Sequence, residues 1–170
     1  MSILRVGSLN CEGLNDYYKR LALFEYLKLS QLAIIFLQET KLKPENELQY
    51  QNEWHNKKCI FNSTVGGKSG TAILFNLDMI NILPNKFIDV EGRVIAVDVE
   101  IFGNVFHLLN SYGPNKYGEK VPFLNRLYLY ANSNNPIVWA GDHNIATDPF
   151  LDRYPTSLAS DHGTREFMDI

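Results

Sequence analysis

Between Leu32 and Leu37 six consecutive residues are apolar, and the run stops abruptly at Gln38-Glu39-Thr40. A short, uninterrupted apolar run of this kind suits a strand covered on both faces, so the chain needs layers above and below a sheet. It is also the longest unbroken aliphatic or aromatic stretch, far below the roughly 20 residues of a membrane span. No membrane partner is expected. A chain of 170 residues that is 45% hydrophobic suits one domain and can bury about 70% of its unfolded surface without a staple. Cys11 and Cys59 are too few for a disulfide framework, and the N-terminus carries no apolar signal segment. The expected setting is intracellular.

Around that strand the pattern is mixed. A first strand is expected near Ile3–Leu9, then a helix over Asp16–Leu29, capped by Asn15 or Asp16, with Tyr17, Leu21, Phe24 and Leu27 on one face. A polar loop containing Pro44 follows Thr40. Short strands are expected near Lys58–Asn62, Gly70–Phe75, Ile80–Ile88, Arg93–Ile101 and Val105–Ser111. In the fourth of these, Ile95, Val97, Val99 and Ile101 alternate with Val94, Ala96, Asp98 and Glu100. A second helix over Glu119–Asn132, with Pro122 in its first turn, precedes a last strand at Pro136–Ala140. Strand–helix–strand, a run of antiparallel-type strands, then helix–strand reads as a mixed α/β sandwich, with sheets inside and helices outside.

The ends of the apolar strands carry the chemistry. The first runs into Asn10, the second into Gln38-Glu39-Thr40, the seventh into Tyr112-Gly113-Pro114-Asn115, and the last into Gly141-Asp142-His143-Asn144. Ligand sites in α/β sheets lie beyond such carboxyl ends. The candidate site therefore holds the carboxylates Glu39 and Asp142, the amides Asn10 and Asn144, and the phenol of Tyr112. Oxygen donors without a thiolate suit Mg²⁺ or Mn²⁺. Such an ion neutralises phosphate oxygens, while an Asp orients water and an amide or phenol hydrogen-bonds the phosphorus centre. Metal-assisted phosphodiester hydrolysis is the expected reaction.

The ordered blocks Asn10-x-x-Gly13, Gln38-Glu39-Thr40, Gly70-Thr71-Ala72-Ile73-Leu74, Gly92-Arg93, Tyr112-x-Pro114-Asn115 and Gly141-Asp142-x-Asn144 resemble the endonuclease/exonuclease/phosphatase superfamily. Within it they look most like the apurinic-type endonuclease domain of LINE-like non-LTR retrotransposons. The resemblance implies a four-layer α/β sandwich, two mixed sheets flanked by helices. It also implies that Glu39 is the principal metal ligand, assisted by Asn10. Tyr112 would contact or protonate the phosphate, Asp142 would align the attacking water, and Asn144 would help hold the scissile phosphate. The implied substrate is DNA, the cofactor Mg²⁺ or Mn²⁺, the compartment the nucleus, and the neighbour in the full-length element a reverse transcriptase.

Two departures from the family pattern stand out. His143 occupies a place commonly held by Phe, and it can face the site or pack beside it. The family also closes with a Ser-Asp-His motif on a late strand. Ser160-Asp161-His162 matches by residue type but begins only 18 residues after Asp142, without the intervening strand–helix–strand stretch, so it is given no catalytic role. Residues 1–170 are accordingly read as the N-terminal portion of such a domain, truncated at its C-terminus. The alternatives are a catalytically incomplete fragment that keeps the fold, or a phosphatase or lipid phosphodiesterase of the same superfamily.

Other residues carry less. Arg93 can reach a phosphate or pair with Glu91. His55 and His107 are read as neutral structural histidines, since neither sits at a strand end beside a carboxylate. Gly66-Gly67-Lys68-Ser69 is a hairpin connection, because the strand Thr71–Phe75 follows it where a phosphate-binding loop would open a helix. After Gly141 the chain is acidic, with Asp142, Asp148, Asp152, Asp161, Glu166 and Asp169 against Arg153 and Arg165. Such a region repels phosphate unless a cation intervenes.

Overall fold

A computed structural model describes residues 3–55, 57–146 and 167. Among the described residues eight strands and three helices follow one another as β1 (Val6–Asn10), α1 (Tyr17–Leu29), β2 (Ile34–Gln38), a 3₁₀ turn (Pro44–Asn46), α2 (Glu47–Glu53), β3 (Cys59–Asn62), β4 (Thr71–Phe75), β5 (Asn81–Ile88), β6 (Val94–Ile101), β7 (Asn104–Tyr112), α3 (Tyr117–Ala131) and β8 (Ile137–Asp142). The strands form two four-stranded sheets, ordered β1-β2-β4-β3 and β5-β6-β7-β8. Each is mixed: β1 runs parallel to β2 and β8 parallel to β7, and the remaining pairs are antiparallel.

The expected layering is found. Every residue of β2 is buried, because alternate side chains serve different cores. Ile35 and Leu37 pack outward with Phe24 and Leu27 of α1 and Tyr50 of α2. Ile34 and Phe36 pack inward against Ile95, Val97, Val99 and Leu108 of the second sheet. On the far face, Val94, Ala96 and Leu109 meet Phe123, Leu124 and Leu127 of α3. The alternation in β6 thus divides as the sequence indicates, Ile95, Val97, Val99 and Ile101 inward, Val94 and Ala96 outward.

Several local expectations are corrected. The segment after Pro44 is not a plain loop: α2 buries Tyr50, and Trp54 follows at its C-terminal end with no exposed surface. The Trp54 ring stands edge-on to Phe24 at 5.5 Å, an arrangement its quadrupole favours. On α1, Tyr17 is about half exposed and Arg20 is buried in its stead. The Arg20 guanidinium forms a two-pronged pair with Glu53, Nε to Oε2 at 2.6 Å and Nη2 to Oε1 at 3.0 Å. Asp16 caps this helix by accepting the Lys19 N–H at 2.7 Å. Helix α3 begins at Tyr117, so Pro122 lies in its second turn, where the ring replaces the N–H that would meet the Gly118 carbonyl.

His107 does have a carboxylate partner. Register places it opposite Asp98, with Nδ1 at 2.6 Å from Oδ1, while Nε2 donates to the Tyr130 carbonyl at 2.8 Å. It ties the end of α3 to the sheet, which keeps its role structural. Among the described residues no helix is long and apolar enough to cross a membrane.

Candidate active site

The four strand ends converge, and they do so through backbone register. Asn10 is the last residue of β1 and pairs with Gln38, the last of β2. Tyr112 closes β7 and pairs with Asp142, the last of β8. Each of these side chains therefore sits one residue deeper than a loop position would put it, held by the ladder.

Asn10 joins the two sheets. Its Nδ2 donates to Asp142 Oδ2 at 2.7 Å and to Glu39 Oε2 at 3.2 Å. Its Oδ1 accepts the Glu12 N–H at 2.9 Å, which fixes the amide's orientation. Two carboxylates from different sheets thus meet at one amide. The Tyr112 phenol lies close enough to Glu39 to feel its charge. Burial, then the Glu39 carboxylate, push that phenol above its usual range, so it acts as an O–H donor at neutral pH.

Asp142 Oδ1 accepts the Asn144 backbone N–H at 3.0 Å. Asn144 itself turns its Nδ2 to the Gly113 carbonyl at 2.9 Å. It is linked to the cluster through Asp142 and the β7 end, and its side chain does not touch Asn10, Glu39 or Tyr112. The crossing of these two segments is tight: a Cβ on Gly113 would lie 2.1 Å from the His143 carbonyl oxygen, so only glycine fits.

Glu39 and Asn144 both adopt positive φ, 53° each, as does Lys41 at 54°. This region is uncommon for residues other than glycine, and its clustering at one place is a mark of functional constraint. The 39–41 backbone is clamped from two sides. Gly13 and Leu14 donate to the Glu39 and Thr40 carbonyls, and Thr40 and Lys41 donate to those of Gly70 and Ser69. Lys41 Nζ then lies 2.6 Å from Glu39 Oε1. This ammonium, followed by the Asn10 amide, holds the Glu39 carboxyl below its usual range against the opposing effect of burial.

Arg93 resolves toward the protein. Its Nη1 donates to the Tyr112 and Gly113 carbonyls, both at 3.1 Å, and its guanidinium lies 5.2 Å from the Tyr112 ring centre. It braces the β7 end, with Glu91 at 3.8 Å. His143 packs behind the site. Its ring is edge-on to Trp139 at 4.9 Å, and burial pushes its pKa down to about 4. The Ser111 hydroxyl accepts from Trp139 Nε1 at 2.8 Å and lies within hydrogen-bond distance, 2.9 Å, of His143 Nε2. Ser160-Asp161-His162 lies outside the described residues.

Residue types and spacing did not reveal Lys41, or a second bridge between the sheets beneath the site. Asn110, fully buried, donates to the Leu37 and Ala72 carbonyls at 3.0 and 2.8 Å and accepts from Gln38 Nε2 at 2.8 Å. The available signal was a polar residue on the inward face of β7, two before Tyr112.

Glu39 and Asp142 offer hard carboxylate oxygens, whereas Asn10 turns its Nδ2 toward them and engages its Oδ1 with the Glu12 N–H, so its amide would have to turn to offer that oxygen to an ion. Among the described residues no three His, Cys, Asp or Glu side chains gather as a metal cage. One or two carboxylates are the sparse protein ligation that Mg²⁺ tolerates. That Glu39 already holds a cationic group shows the place to be suited to positive charge.

The sequence profile of the Endonuclease/Exonuclease/phosphatase family matches residues 7–165. A transposon TX1 uncharacterized 149 kDa protein of Xenopus laevis is 25% identical over 148 residues, covering 85% of this chain. An exodeoxyribonuclease of Bacillus subtilis is 28% identical over 156 residues, covering 84%. The chain spans 11% and 59% of the lengths of these two relatives. An AP endonuclease structure from Archaeoglobus fulgidus superposes with a TM-score of 0.71 at 23% identity, over 98% of this chain and 69% of that one, which shows the shared fold.

Proposed function

Because the chain belongs to the endonuclease/exonuclease/phosphatase family, we propose that it is a divalent-metal-dependent DNA endonuclease of the retrotransposon type. The observation that carries this reading is the Asn10 amide holding Asp142 at 2.7 Å and Glu39 at 3.2 Å. Glu39 and Asn10 are the residues proposed to hold Mg²⁺ or Mn²⁺. When bound, the ion neutralises phosphate oxygens and the leaving oxygen.

The chain's own groups do the rest. Asp142, fixed by Asn10 Nδ2 and the Asn144 N–H, orients water for attack on phosphorus and takes up its proton as the phosphorus–oxygen bond breaks. Tyr112, kept protonated, donates to a phosphate oxygen as charge builds there. Asn144 holds the β8 end against Gly113 and keeps Asp142 in place beside the scissile phosphate.

DNA as substrate is supported by the transposon and exodeoxyribonuclease relatives. In the full-length element the proposed neighbour is a reverse transcriptase, and the proposed compartment is the nucleus. Incubation with supercoiled plasmid tests the reading. The parent chain is expected to nick in Mg²⁺ and to be silenced by chelation, and Glu39→Ala to fall at least a hundredfold. Nicking by Glu39→Ala at the parent rate overturns the metal assignment.

A further inference from the structure

The Glu39 carboxylate does not wait bare for a divalent ion. One oxygen faces the Asn10 amide at 3.2 Å and the other faces Lys41 Nζ at 2.6 Å. The placement of that ammonium is built into the backbone. Glu39 and Lys41 both take the left-handed conformation, and four main-chain hydrogen bonds pin residues 39–41 to the loops at Gly13 and Ser69. The Lys41 carbonyl abuts Gly67 so closely that a Cβ there would lie 2.6 Å away. The Lys41 side chain, by contrast, is 37% exposed, against 20% for Glu39. The root of the side chain is fixed while its head remains free to swing into water.

We propose that Lys41 is the resident counter-ion of the metal site, competing with the divalent ion for the Glu39 carboxylate and weakening its binding. The inference rests on the reading of Glu39 as a metal ligand. An ion that reaches Glu39 must displace the ammonium, and the displaced charge stays nearby and repels it, since the backbone at Lys41 cannot retreat. An exposed pair of this kind is individually weak, so its opposition is modest and salt-sensitive. The lysine thereby keeps Glu39 neutralised in the ion-free protein. It also leaves a free ammonium beside the phosphate position when the ion is present.

Mn²⁺ titration of the whole chain by calorimetry, without DNA, separates the possibilities. Lys41→Met keeps the side-chain length and removes the charge; it is expected to bind Mn²⁺ about five- to tenfold tighter than the parent. Lys41→Arg keeps the charge and is expected to stay near the parent value. Equal or weaker binding by Lys41→Met, or equally tight binding by Lys41→Arg and Lys41→Met, overturns the proposal while leaving Glu39 as ligand intact. Absence of Mn²⁺ binding in the parent and in Lys41→Met alike, with Glu39→Gln no different, overturns the metal reading itself and this inference with it. A melting curve on each variant confirms that the comparison is between folded chains.

Discussion

Two asparagines bridge the same pair of sheets, and they do opposite work. Asn110, fully buried, gives its amide to two backbone carbonyls and receives that of Gln38. Every partner is neutral. Asn10, at the half-buried rim, gives its amide to two carboxylates from different sheets. Both groups that its Nδ2 reaches carry charge. The lower bridge sets the sheets' separation where water is absent and mispairing is costly. The upper one uses that fixed separation to hold two like charges close together, which is useful only for a cation, a proton or a phosphate. The frame and the chemistry thus rest on the same side-chain type, distinguished by depth and by what it touches.

The largest effect expected from this contrast is on activity. Asn10→Ala removes the shared donor and is expected to lower nicking by about a hundred- to a thousandfold. It also leaves the melting temperature within a few degrees of the parent. Asn110→Ala reverses the pattern in stability. It strands the Leu37 and Ala72 carbonyls and the Gln38 amide, at a cost of about 3 kcal/mol in a denaturant melt. If Asn10→Ala proves the more destabilising of the two, the division between frame and chemistry fails.

Tyr112→Phe sharpens the upper half. It deletes the proposed donor to the phosphate while the ring stays against Arg93, so a loss of about tenfold in rate with unchanged stability is expected. Beneath it, His143 gives the smallest effect at neutral pH, together with a pH signature. Its pKa falls from 6.5 to about 4 on folding, so the unfolded chain takes up a proton in that window that the folded one refuses. Stability is fully present above pH 6.5 and drains as pH drops toward 4, by at most about 1.4 kcal/mol per pH unit. His143→Phe, which keeps an aromatic ring against Trp139, should flatten that slope in melts taken across the window.

The layered fold was legible in the apolar strand pattern, and the polar residues at the ends of those strands are a local signal that marked where the candidate residues lie. Asn10, Glu39, Asp142 and Tyr112 came together as expected, with Asn144 one step removed. What was not legible depends on contacts between distant segments. Helix α2 shows little apolar periodicity beyond Tyr50 and Trp54, so it read as loop until a partner face at Phe24 and Phe61 existed for those rings. Arg20 looked like a surface charge until Glu53 arrived from another helix. The Asp98–His107 pair depends on cross-strand register, and Asn110 gains meaning only from carbonyls in the opposite sheet. The histidine after Asp142 left two orientations open, and the aromatic wall of Trp139 chose packing.

If the residues gathered by Asn10 hydrolyse a phosphodiester bond, Asp142→Asn is the decisive substitution. The substitution keeps the shape of the side chain and an oxygen for the Asn10 amide while removing the charge that takes up water's proton. On supercoiled plasmid in Mg²⁺ the parent chain is expected to nick, and Asp142→Asn to be at least a thousandfold slower, with the same melting temperature. Nicking by Asp142→Asn at the parent rate would contradict the account.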